Sequence, residues 1–212
     1  MTAEILAATE HLVLRRMTND DAAALAAYRS DPVQARYQSW ETPYPLDSAR
    51  ALIAQMRNVR FAQPGVWLQI GIETSGRLIG DIAVRVDGDQ ARQATVGFTL
   101  AAEAQGHGYA TEALRTVISL LFTEHDVHRI CADCDTRNDR PVAMLDRIGM
   151  RREAHHHKSA CRDGVWSLLT GDVVSHFPVP AYATTPMEYA IFRVNSIKFV
   201  RARNDQIQRL EL

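Results

Sequence analysis

The chain has 212 residues, 46% of them hydrophobic, with a formal net charge of −1, enough for one domain with its own core, or one domain and an extension. That balance speaks against a general electrostatic affinity for nucleic acid. No run approaches the ~18 apolar residues of a membrane-spanning helix, and the N-terminus lacks the basic, apolar and small-residue succession of a signal peptide, so a cytoplasmic location is expected. Three cysteines, Cys131, Cys134 and Cys161, are an odd number that argues against a disulfide framework.

In chain order, residues 11–17 alternate like a strand, and Asn19-Asp20-Asp21 is capping chemistry for an alanine-rich helix that runs to about residue 29. A second helical pattern starts near residue 46 and buries Ala49, Leu52, Ile53 and Met56. Pro64-Gly65 breaks the chain. Two strands follow, 66–73 and 77–86, joined by Thr74-Ser75-Gly76, and a turn at Asp87-Gly88-Asp89 delivers the chain to a strand over 94–100. Beyond a glycine-rich turn, Ala110, Ala113, Leu114, Val117, Ile118 and Leu121 form one buried helical stripe. A strand over 129–136, Asn138 and a helix over 141–150 come next, then a hairpin of 151–160 and 165–177 about Arg162-Asp163-Gly164. Pro178-Val179-Pro180 marks a break. Residues 179–212 read as an extension, basic and loosely helical over 192–212.

The segment from Ala104 to Leu114, AQGHGYATEAL, carries the most information. Gly106 and Gly108 open backbone angles closed to other residues, and the N–H groups at the start of the following helix attract anionic oxygens. The spacing is not the three-glycine dinucleotide fingerprint, and no Lys-Ser or Lys-Thr follows to make a P-loop.

Gln105-x-x-Gly108-x-Ala110 resembles the Q/R-x-x-G-x-G/A motif of the GNAT acetyltransferases. The succession of strand, cradle, helix, strand, Asn turn and helix is similar to the Rim-type branch, the ribosomal-protein N-terminal acetyltransferases and their relatives. The likeness spans about residues 10–177. It implies a single α/β GNAT domain over 1–178, with a central, mostly antiparallel twisted sheet flanked by helices and splayed at the cofactor site, and an extension over 179–212. It also implies acetyl-CoA as cosubstrate and direct attack of a primary amine on its thioester.

By that resemblance Gln105, Gly106, His107, Gly108, Tyr109, Ala110 and Thr111 grip the pyrophosphate. Phe98, Thr99 and Leu100 bond the pantetheine and face the thioester carbonyl through the main chain, and Asn138 contacts the cofactor. Asn138 reads equally well as a plain turn or cap residue. Asp133 and Asp135, which share a strand face with Cys131, and Glu153 are the candidate bases; surface or ion-paired carboxylates are the plainer reading of each. Pro141 stands where Rim-type enzymes commonly place a serine that protonates the departing thiolate, and it donates nothing. Trp166 belongs to the closing strand, but the acidic residue that often follows it in relatives is missing.

Tyr37, Trp40, Glu41 and Tyr44 gather aromatic faces and a carboxylate in one segment, which suits a cationic acceptor or, equally, a loop packed down by its aromatics. With Trp166 they are the expected acceptor contacts. The acceptor is a peptide N-terminus or a small-molecule amine, with an aminoglycoside-type antibiotic and a non-catalytic CoA sensor as alternatives. A monomer or a homodimer, with no nucleic-acid or membrane partner, is expected. Cys131-Ala-Asp-Cys134 has zinc-ligand spacing, but residues three apart on a strand point to opposite faces, so no metal is expected.

Overall fold

The structure is a computed structural model; it describes residues 3–88, 92–135, 138–160, 187–195, 199–201 and 207–209, by backbone alone from residue 152 onward. Among the described residues, eight strands make one mixed sheet in the order β1 (Ile5–Ala8), β2 (Val13–Arg16), β3 (Trp67–Thr74), β4 (Arg77–Val86), β5 (Gln93–Leu100), β6 (Arg129–Asp135), β8 (Met187–Asn195) and β7 (Arg151–Ala160). Every pairing is antiparallel except β5 with β6. A two-stranded ladder, β9 (Phe199–Arg201) with β10 (Ile207–Arg209), stands apart. The helices are α1 (Ala22–Ser30), α2 (Pro32–Ala35), α3 (Leu46–Met56), α4 (Tyr109–Glu124) and α5 (Asp139–Arg147).

Period-two patterning divides the sheet into an apolar and a mixed face. Leu68, Ile70, Ile72, Ile82, Val84, Val86, Ala94 and Val96 share one face and are at most 3% exposed. The α4 stripe expected from the sequence, Ala113, Leu114, Val117, Ile118 and Leu121, joins the same core cluster. Asp81, Ala83, Arg85, Thr95, Gly97 and Thr99 point the other way. α1 covers that second face, since its Tyr28 and Arg29 reach down to Asp81. Gly80 lets β4 and β5 close up beside it: a Cβ there would fall on the Thr99 carbonyl oxygen and the Leu100 side chain.

The entry to α1 is fixed by Asp21, whose carboxylate accepts from the Thr18 N–H at 2.6 Å and takes both terminal nitrogens of Arg15 at 2.8 Å. Glu73 of β3 holds the remaining Arg15 nitrogen at 2.5 Å, tying helix entry to the sheet.

Three features depart from the sequence expectations. β1 and α2, both four residues long, were too short to carry a period. α5 begins at Asp139, ahead of Pro141, which sits inside its first turn where a missing N–H costs nothing. The largest departure is β8. The expected partner of β7, residues 165–177, lies outside the described residues, and the strand inserted between β6 and β7 comes from 187–195, part of the extension. Residues 192–195 and both strands of the small ladder are extended, which corrects the helical reading at those positions; the rest of 192–212 lies outside the described residues. Met-Glu-Tyr-Ala-Ile-Phe-Arg-Val is rich in β-branched and aromatic residues, and that composition outweighs the weak helical spacing.

Candidate active site

The parting of β5 and β6 makes the site. Their parallel pairing covers only Gln93–Arg129, Ala94–Ile130 and Thr95–Cys131, while β5 stays paired to β4 as far as Leu100 and β6 to β8 as far as Asp135. From Val96 onward a gap opens in the middle of the sheet. The Asp87 N–H bonds the Gln93 carbonyl at one end of β5, and the Ala101 N–H bonds the Ile79 carbonyl at the other. Odd-numbered residues of β5 therefore face β4 with their backbone, and Val96, Phe98 and Leu100 direct N–H and C=O into the gap.

At the end of β5 the chain enters the cradle. Gly106 and Gly108 both have φ of 83°, in the left-handed region, and a Cβ on either would meet nothing within 4 Å. The first α4 bond runs from the Glu112 N–H to the Gly108 carbonyl at 3.0 Å, so the N–H groups of Tyr109, Ala110 and Thr111 have no acceptor within the helix. An open, positively polarised cradle beside exposed strand backbone fits the pyrophosphate and pantetheine of a coenzyme A thioester.

The cradle is braced by its side chains. His107 stacks on Tyr109 with centroids 5.5 Å apart. Glu112 ties α4 to the start of β2, accepting from the His11 N–H at 3.1 Å and meeting the His11 ring at 3.0 Å. Burial lifts the Glu112 carboxyl, but hydrogen bonds from Thr9 and His11 outweigh it and hold the group below its ordinary range. Gln105 turns inward, donating to Gln34 of α2 at 2.8 Å and to the Leu100 carbonyl at 3.2 Å. Asn138 stands at the N-cap of α5, and its side chain makes no cap hydrogen bond.

Of the three candidate bases, Asp133 is the one whose side chain is described. It lies on the face that carries Thr95 and Cys131, the face α1 covers. Its side chain is exposed at the surface, while desolvation by the chain packed around it raises its carboxyl to about 6. The side chain of Asp135 and that of Glu153, whose backbone sits at a register shift of β7, lie outside the described atoms, and Trp166 outside the described residues.

The aromatic segment holds a cation already. The Arg29 guanidinium sits 4.3 Å from the Trp40 ring centre and 5.3 Å from that of Tyr44, while the Trp40 indole N–H bonds the Arg29 carbonyl at 2.9 Å. Arg29 reaches Asp81 at 3.2 Å, and the Tyr28 hydroxyl donates to the same carboxylate at 2.6 Å. Burial first, then the Asp81 charge, pushes the Tyr28 phenol well above its ordinary value. Glu41 is exposed and Tyr37 half-buried, with the Arg36 guanidinium 5.4 Å from the Tyr37 ring centre. This buried Tyr28, Arg29 and Asp81 unit was not anticipated, because Asp81 lies more than fifty residues from the other two. Cys131 is buried and Cys134 half-buried, and among the described residues no three His, Cys, Asp or Glu side chains gather as metal ligands would.

The sequence matches the family described as acetyltransferase (GNAT) domain over residues 11–151. The chain belongs to the GNAT family. It is an acetyltransferase that uses acetyl-CoA. Among relatives, an uncharacterized N-acetyltransferase, p20 of Bacillus licheniformis, is 26% identical over 145 residues, 68% of this chain and 82% of that protein. Among solved structures, the ribosomal L7/L12 alpha-N-protein acetyltransferase RimL superposes with a TM-score of 0.70 at 14% identity, over 92% of this chain and 96% of the other. The microcin C7 self-immunity acetyltransferase MccE, solved with acetyl-CoA and AMP, does so with a TM-score of 0.68 at 17% identity, over 89% and 94%. The mixed sheet, its helical flanks and its splay between β5 and β6 are the GNAT fold.

Proposed function

We propose that this acetyltransferase modifies the α-amine of a peptide or protein N-terminus, with the gap between β5 and β6 as the reaction channel. The observation that carries the reading is the parting of the strands at Thr95 and Cys131, which leaves the Val96 and Phe98 backbone directed into the gap that ends at the glycine cradle. The N–H groups from Gly106 to Thr111 would hold the pyrophosphate, and the even-numbered backbone of β5 would hold the pantetheine. Acetyl-CoA supplies the acyl group, activated as a thioester.

The Phe98 N–H, directed into the gap, stabilises charge on the carbonyl oxygen as the amine attacks. Asp133 takes the proton the amine releases, directly or through one water; with its carboxyl raised to about 6, it is still ionised at neutral pH and a better proton acceptor than an ordinary aspartate. Pro141 offers no proton, so water serves the departing thiolate.

Two considerations favour an α-amine over a lysine-like or polyamine nitrogen. Deprotonation at pH 7 costs about 1.4 kcal/mol for an amine of pKa near 8 and about 4.6 kcal/mol for one near 10.4. The Trp40 and Tyr44 rings that would have wrapped a polycation are engaged with Arg29. The likeness to RimL, a protein that acts on an α-N-terminus, supports the same acceptor.

The test is release of CoA thiol from acetyl-CoA with peptides, aminoglycosides and polyamines as acceptors, beside calorimetric CoA binding. Turnover confined to peptides supports the reading; turnover confined to aminoglycosides overturns the acceptor. Gly108→Val should abolish CoA binding while circular dichroism stays native, because valine is strained at a φ of 83° and would crowd the cradle.

A further inference from the structure

Gln105 is fixed from two sides by Gln34 and the Leu100 carbonyl, and its remaining amide atom, Oε1, accepts from Arg140 Nη1 at 2.9 Å. That bond links the cradle to the first turn of α5. Arg140 is exposed and, among the described residues, forms no ion pair. A cation in the first turn of a helix opposes the macrodipole, whose positive end lies there. The start of α4, a second positive end, follows Gln105 by four residues. Nearby carboxylates do little to offset this: Asp139 is exposed to solvent, and Glu112 is engaged by His11. Three sources of positive potential thus meet around one glutamine, an arrangement that favours a polyanion between them.

We propose that Arg140 is a second grip on the cosubstrate, reaching from α5 past Gln105 to the pyrophosphate that the α4 N–H groups hold from the other side. The inference rests on the cofactor site described above and adds to it a residue outside the glycine motif. Gln105 then orients the guanidinium rather than contacting the phosphates with its own side chain. A planar guanidinium with one N–H on Gln105 keeps a fork of donors for two phosphate oxygens. The space beside Gly106 and Gly108 is open to receive them.

Arg140→Gln and Arg140→Lys, titrated calorimetrically with CoA and with 3′-dephospho-CoA from low to physiological salt, test this. The glutamine variant should weaken both ligands by the same factor, about tenfold, and make the salt dependence shallower by about one charge. The lysine variant should fall between it and the native protein. A loss seen with CoA alone would move the contact to the 3′-phosphate and overturn the assignment, as would unchanged affinity for both. Failure of the native protein to bind either ligand would instead sink the cofactor site itself, so the two outcomes are separable.

Discussion

Asp133 and Asp21 are carboxylates displaced in opposite directions, and each displacement sets a measurable dependence on pH. At Asp133 crowding destabilises the charged form and raises the carboxyl to about 6, so the proton-accepting form is lost as pH falls through that value. With a peptide acceptor, log kcat/KM should bend downward below about pH 6, and Asp133→Asn should lower activity about tenfold or more while erasing that bend. A bend that survives the substitution would assign proton transfer elsewhere. At Asp21 burial alone would raise the carboxyl, but hydrogen bonds from Arg15 and Thr18 and the Arg15 charge outweigh it and lower it. A lowered folded-state pKa contributes stability that is present above the unfolded value and lost as pH falls through the folded one. Asp21→Asn should therefore cost about 2–4 kcal/mol at pH 7, read by urea melts, with the difference shrinking in acid.

Between elements, the tie that matters is α1 to β4 through Tyr28, Arg29 and Asp81. Arg29 is 6% exposed and Asp81 2%, and the Arg29 Nε has no hydrogen-bond partner, so the guanidinium depends on one carboxylate and two aromatic rings. Asp81→Asn leaves that charge uncompensated in the interior. It should destabilise the fold by about 3–5 kcal/mol, and adding Arg29→Met should recover part of the loss. A double variant no more stable than the single one would show that Arg29 is held chiefly by Trp40 and Tyr44.

This is also where sequence reading reaches its limit. Gly106, Gly108 and the α4 stripe were legible because their physics is local: glycine angles, helix periodicity and orphaned N–H groups lie within one stretch of chain. Asp133 was legible as a candidate from strand alternation. The capture of Trp40 and Tyr44 by Arg29, and the bond from Arg140 to Gln105 across 35 residues, depend on side chains that only the folded sheet brings together. Nothing in the aromatic segment itself tells an internal cation from a ligand.

For the whole molecule, the order of the sheet makes residues 187–195 part of the main sheet. Among the described residues, β7 meets β6 only through β8, which bonds β6 from Arg129 to Asp135 and β7 from Arg151 to Ala160. The expected break at Pro178 falls before β8 in sequence. Truncation after residue 178 should therefore strip a shared neighbour from two strands, giving soluble yield and thermal cooperativity well below those of the full chain. A truncated protein that melts like the intact one would show that another segment pairs with β6 and β7. No helix among the described residues is long and apolar enough to cross a membrane.

The gap between β5 and β6 has one more consequence. An ordinary sheet keeps its unpaired backbone at its two outer edges, where short strands, charges and bulges guard it. This one has two further edges inside it, facing each other across a cleft. A pantetheine chain, with two amides in an extended tether, is shaped to lie there as a surrogate strand. On the proposed reading the small molecule would complete the architecture as well as react within it. The same edges would admit the backbone of an extended peptide.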